Sequence, residues 1–230
     1  MTMPVPSMPS SAPQRLQVAV TRRNDTDYIF DFWTALGWTI LTCGIFSLYV
    51  VYRLMWRSVE HNKRRLEVLD AATALGWERA VAVGREEELT PQFQRLGAHL
   101  DEMRRLTTEF RDPVIWTIIC AVSSGIGQIV AYVFLDMDLV SHEAAERAAE
   151  QELAGILSAL GVPLALPPAG ATKGRHNYVG RVIALLASCF IYSLWWLHDL
   201  MVEGNHNYRG DWEREDALWG AAAALAPPGE

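Results

Sequence analysis

The residues best equipped for chemistry lie close together near the C-terminal end. Asp199, Glu203 and His206 stand at i, i+4 and i+7, on one face of a helix, with His198 beside them. Glu203-x-x-His206 has the spacing with which helical bundles present a carboxylate and an imidazole to a metal. Such sites draw matching ligands from other helices, and the nearest counterpart, Glu60-His61, has the wrong spacing. A solvated helical face accounts for the same residues without a ligand, so the expectation is no metal, no cofactor and no catalytic residue. Cys43, Cys120 and Cys189 fall one to each of three apolar stretches, where small packing residues are expected rather than a disulfide or a shared thiol site. Gln128 is the most polar residue in the middle of such a stretch. A helix-to-helix hydrogen bond is its expected role, because no acid or base lies at the same depth to couple ions or protons.

The elements that must position these groups are the apolar stretches themselves. Residues 32–52 and 113–135 run 21 and 23 positions without a charge, and 182–197 runs 16. A bilayer core of about 30 Å takes roughly 20 residues of helix at 1.5 Å each, so the first two are long enough to span. The third reaches that length with Arg181 at one end, or His198 and Asp199 at the other, placed where they can snorkel. Trp33, Trp38, Trp56, Trp195 and Trp196 cluster at the ends of these stretches, as in interfacial aromatic belts. The expected fold is therefore all-α, an integral membrane protein of three transmembrane helices with a cytoplasmic helical hairpin. A net charge of −7 leaves no basic excess to neutralise phosphates, which excludes nucleic acid as an expected partner.

The resulting division is a disordered tail over 1–30, transmembrane helices over 31–56, 113–135 and 178–202, a helical hairpin over 57–112, an external loop over 136–177 and a C-terminal tail over 203–230. Loop 57–112 carries ten Lys and Arg and loop 136–177 only three, which places the former and the C-terminal tail in the cytoplasm. Within 57–112, Leu66, Leu69, Thr73 and Ala80 continue a helical stripe. Thr90 then caps a second helix with Pro91 at its first position and Phe93, Leu96, Leu100, Met103 and Thr107 on one face. In the outer loop Ser141 caps a helix over 142–160 that Gly161 and Pro163 end. Its apolar continuation, 153–166, is too short to span and reads as interfacial or re-entrant.

The first and third stretches resemble each other. Thr42-Cys43 aligns with Ser188-Cys189, Ser47-Leu48-Tyr49 with Ser193-Leu194-Trp195, and Leu54-Met55 with Leu200-Met201. With one inserted residue, His61-Asn62-Lys63-Arg64 aligns with His206-Asn207-Tyr208-Arg209. A duplication running in parallel is the expectation. The run Thr42-Cys43-Gly44-Ile45-Phe46-Ser47-Leu48-Tyr49 is moreover similar to the T-x-G-I-Y-x-x-Y-W-x-Y motif of a bacterial membrane family known only as a domain of unknown function. The likeness covers about 30 residues, with an echo around the third stretch where Phe190 replaces the glycine. It implies a bacterial inner-membrane protein and brings no activity or functional residue with it.

Small residues recur every four positions in each stretch: Ala35, Thr39, Cys43 and Ser47; Ser123, Gly127 and Ala131; Gly180, Ala184 and Ser188. Helices in lipid associate where small side chains let backbones approach, so these are the expected helix-packing positions. The function expected is that of a non-enzymatic multi-pass subunit or scaffold in the bilayer, forming homo-oligomers or joining other membrane-protein subunits. Two alternatives stay open: a small channel or transporter component with Ser123, Ser124 and Gln128 lining a pore, and a metal-dependent membrane enzyme built on 198–206.

Overall fold

The structure is a computed structural model that describes residues 11–108, 112–123, 125–167 and 176–225. Its helices are α1 (Ala12–Thr21), α2 (Arg23–Thr26), α3 (Phe32–Leu41), α4 (Ile45–Ala82), α5 (Glu86–Thr108), α6 (Pro113–Val122), α7 (Ile126–Ala159), α8 (Tyr178–Ala187) and α9 (Tyr192–Leu225).

Each uncharged stretch folds back on itself at mid-length. A ten-residue helix (α3, α6 or α8) meets a tight turn and continues into a long helix (α4, α7 or α9). The arms lie antiparallel. Trp38 faces Phe46 with ring centres 6.2 Å apart, Trp116 meets Phe134 edge-on at 5.2 Å, and Arg181 bonds Asp199 at 3.0 Å across the third turn. Among the described residues no helix is long and apolar enough to cross a membrane. This overturns the expected three transmembrane helices. Hydropathy averages over the turn residues, which are themselves small or apolar, so an uncharged hairpin reads as one long helix.

The turns share one construction. Thr42, Ser123 and Ser188 follow the short helices, and their hydroxyls accept hydrogen bonds from the backbone N–H of Phe46, Gly127 and Tyr192 at 2.8–2.9 Å. Two residues further on, the chain turns left-handed, at Gly44 (φ 92°), Gly125 (φ 91°) and Phe190 (φ 71°). The short helices are started alike, because Asp31, Asp112 and Asn177, each eleven positions before the turn residue, accept from their first backbone N–H groups. The unit therefore occurs three times, not twice, and it carries no insertion.

The long helices run parallel with their turns at one end. Leu54, Leu135 and Leu200 share a core near the turns, while Leu75, Leu157 and Leu225 share a second core at the far end. α5 returns antiparallel to α4 and packs along α7. The described parts of segments 57–112 and 136–177, expected on opposite sides of a bilayer, thus form one bundle. α1 closes the far end through Ala12, Leu16, Ala19 and Val20, a stripe at helical spacing inside the segment expected to be disordered. Residues 1–10 lie outside the described residues.

Boundaries shift where packing prevails over local signals. α5 begins at Glu86 with Pro91 inside it, because the chain already turns at Gly84 (φ 68°). α7 runs unbroken through Ser141, and Leu153, Ile156 and Leu157 are apolar because they fill the far core. α9 extends through the expected tail to Leu225, with Leu218, Ala221 and Ala222 buried.

Candidate functional site: an apolar end and the charged layer behind it

The three turns make an end of unusual composition. Ile45, Ile126 and Ile191, each three positions past the turn residue, are 72, 69 and 71% exposed. Leu41, Val122 and Phe190 are exposed beside them, and Trp33 and Ile115 are exposed at the opposite ends of α3 and α6. Exposed apolar side chains gathered at one end of a bundle are unlike ordinary surface, where they are scattered singly.

The interior behind it is charged. Arg65, Glu146 and Asp211 stand 23 positions past Thr42, Ser123 and Ser188, about 30 Å of helix from the turns. All three are buried. The Arg65 guanidinium donates to Glu146 at 2.7 Å, Glu150 at 2.6 Å and Glu215 at 2.9 Å. Arg64 donates to Glu215 at 2.5 Å, Asp27 at 2.6 Å and the Thr26 hydroxyl at 2.8 Å. Trp212 Nε1 adds a bond to Asp27 at 2.6 Å, and Arg214 pairs with Glu150. Nearer the turns, Arg57 donates to the carbonyls of Tyr28 and Leu200 and to Asn205 Oδ1, while Asn205 also bonds both backbone groups of Phe30. Gly204 makes room for this, since a Cβ there would run into the Arg57 guanidinium.

His61 lies between two acids. Its Nδ1 is 2.9 Å from Asp27 and its Nε2 3.3 Å from Asp211, and the ring stacks on Tyr208 at 4.0 Å. Burial alone would lower its pKa, but Asp27 and Asp211 prevail and raise it from 6.5 to about 9. Burial pushes Asp27 up, but His61 and Arg64 hold it well below the usual carboxylate range. Asp211 is raised by burial and by the nearby Glu146 charge.

His61, Glu146 and Asp211 bring ligand atoms within 4.8 Å of one another, a spacing that admits a metal ion. These groups already engage one another and their neighbours: Glu146 accepts from Arg65, and the His61 ring nitrogens lie against Asp27 and Asp211.

The residues singled out at 198–206 part company. Asp199 takes Arg181, and the His198 ring lies against Phe32 and Trp195. Glu203 joins Asp136 and His176, whose Nδ1 is 2.8 Å from Asp136 and Nε2 3.4 Å from Glu203. His206 is exposed, so it is not the equivalent of buried His61. One residue more in unbroken α4 than in unbroken α9 would rotate everything after it by about 100°. Asn207 is the position matching His61.

The small-residue ladders are interrupted by the turns. Ala35 is buried on α3, whereas Cys43 sits in the turn at φ 50° and Ser47 lies on α4. Gly127 packs against its own hairpin arm, since a Cβ would meet the Ser123 hydroxyl and the Ile119 carbonyl. Ala131 joins the near core, and Gly180 lies against the capping Asn177. Thr39, Ala184 and Ser188 are half-buried. Gln128 bonds Tyr132 of its own helix at 2.6 Å rather than a second helix. Ser124 lies outside the described residues.

Of the residues of the charged layer, spacing singles out only His61 and Arg64, as part of the repeat; Asp27, Arg65, Glu146, Asp211 and Glu215 carry no local motif. Their signal was the recurrence of Asx, Ser or Thr, and Ile at fixed offsets, which includes the second stretch. Comparison with protein-family models, with curated proteins and with solved structures finds no match to this chain.

Proposed function

We propose that this chain is a non-enzymatic membrane-anchored assembly protein. The apolar turn end buries in lipid, and the bundle beyond the charged layer serves as the platform for further copies or other subunits. The observation that carries this reading is the equivalent exposure of Ile45, Ile126 and Ile191 at the tips of three hairpins whose turn-proximal stretches, 32–52, 113–135 and 182–197, carry no charge. The likeness of the Thr42 region to a bacterial membrane family favours the bacterial inner membrane as the setting.

The test is co-flotation with phosphatidylethanolamine–phosphatidylglycerol vesicles. An aspartate at mid-bilayer costs about 2.5–3.5 kcal/mol, so the variant Ile45→Asp, Ile126→Asp, Ile191→Asp should stay in the dense fraction while the wild-type floats. Its helicity and melting should persist, because these side chains contribute little to the core. Flotation of the triple variant equal to wild type would refute the anchor. Cross-linking of the bound wild-type tests the assembly half of the proposal, for which a strictly monomeric product with no co-purifying subunit is the adverse result.

A further inference from the structure

We infer that the anchor occupies a single leaflet, so a phospholipid monolayer over an oil phase holds this protein as well as a bilayer does. This rests on the membrane-anchor reading and adds its depth. The outer arms α3, α6 and α8 are each ten residues, about 15 Å, half of a hydrocarbon core of about 30 Å. Charges limit that depth on every arm. Asp31, Asp112 and Arg181 stand at or near the starts of the outer arms, and Arg53, Asp136 and Asp199 come within about 15 Å past the turns on the long helices.

A chain that reverses inside hydrocarbon must satisfy its own backbone there. These turns do. Gly44 N–H bonds the Thr39 carbonyl at 2.8 Å and Phe190 N–H the Leu185 carbonyl at 2.9 Å. The N–H groups of Ile45, Ile126 and Ile191 bond the carbonyls of Thr42, Ser123 and Ser188, and the same three residues' hydroxyls take the next N–H in line. Among the described residues, no charged side chain stands at a tip to engage the headgroups of a far leaflet. The anchor therefore needs hydrocarbon below it, not a second polar surface.

The experiment compares flotation of the purified full chain with unilamellar vesicles and with triolein droplets coated by the same phospholipids at equal surface area. The expected result is binding to both within about three-fold, with the triple aspartate variant lost from both. Binding to vesicles with a larger deficit on droplets would overturn the single-leaflet inference and leave the anchor standing. Binding to neither would overturn the anchor and the inference together.

Discussion

The three hairpin units carry the same residue at their exposed tips and different residues in the buried charged layer. Three positions past each turn all carry isoleucine, exposed to the same degree. Twenty-three positions past each turn they carry arginine, glutamate and aspartate, all buried, with Arg65 paired to Glu146 and Asp211 set against His61. The difference has a physical cause. Three copies presented to one solvent meet the same demand and can stay alike. Three copies converging on one axis cannot all bear one sign of charge, because like charges in a buried layer repel strongly. The charged layer fixes which unit stands where, and the tips stay interchangeable.

The comparison breaks most severely if the layer is cut. Arg65→Met leaves Glu146, Glu150 and Glu215 without their shared partner and should cost about 3–5 kcal/mol in chemical denaturation. Adding Glu146→Gln should recover much of that loss, since one charge of each sign has then been removed and Glu150 and Glu215 keep Arg214 and Arg64. A mild effect of Arg65→Met alone would show that the layer does not hold the bundle.

At the tips the same-sized perturbation should leave folding untouched. Ile126→Asp alone should weaken vesicle binding by about 100-fold, the equivalent of roughly 3 kcal/mol, with an unchanged denaturation midpoint in solution. Ile45→Asp and Ile191→Asp should match it if the units are interchangeable. A loss confined to one of the three would end the equivalence.

Titration sharpens the contrast, because only the layer responds. The folded pKa of His61 is raised to about 9 from 6.5, so its contribution is complete below pH 6.5 and is lost as pH rises through 9. Stability should fall by about 2–3 kcal/mol between pH 7 and 10, and His61→Gln should flatten that slope. Asp27 has the opposite sign, stabilising above its unfolded pKa of 3.8 and losing this as pH falls. A wild-type profile flat from pH 7 to 10 would remove the proton from His61.

The smallest effect distinguishes the third turn from the first two. Phe190 holds the left-handed conformation that Gly44 and Gly125 adopt without penalty. Phe190→Gly should raise stability in detergent by about 1 kcal/mol, whereas Gly125→Ala should lower it by a similar amount. Equal and opposite outcomes would mean the turns are not built alike.

Much of this was legible before folding was considered. The helical class, the hairpin of α4 and α5, the stop at Gly161 and the likeness of units one and three all followed from spacing. The hairpin turns did not, because Thr-Cys-Gly-Ile and Ser-Cys-Phe-Ile are uncharged and hydropathy cannot tell a helix from a reversal. The second unit was hidden because its arms share little beyond Asp112, Ser123, Gly125 and Ile126. The charged layer was hidden because Arg65, Glu146 and Asp211 lie in segments expected on different sides of a membrane. Fixing the register on the turns, with no insertion, aligns all three at once.

The central claim, that the turns lie deep in one leaflet, is tested most directly through the two cysteines placed at them. Cys43 and Cys189 are exposed at the first and third tips, and Cys120 is buried. In a Cys120→Ala background, fluorophores on both should be quenched most by nitroxides near the ends of the acyl chains and little by aqueous iodide once the protein is bound to vesicles. Strong quenching of both by iodide, with the deepest nitroxides without effect, would contradict the account.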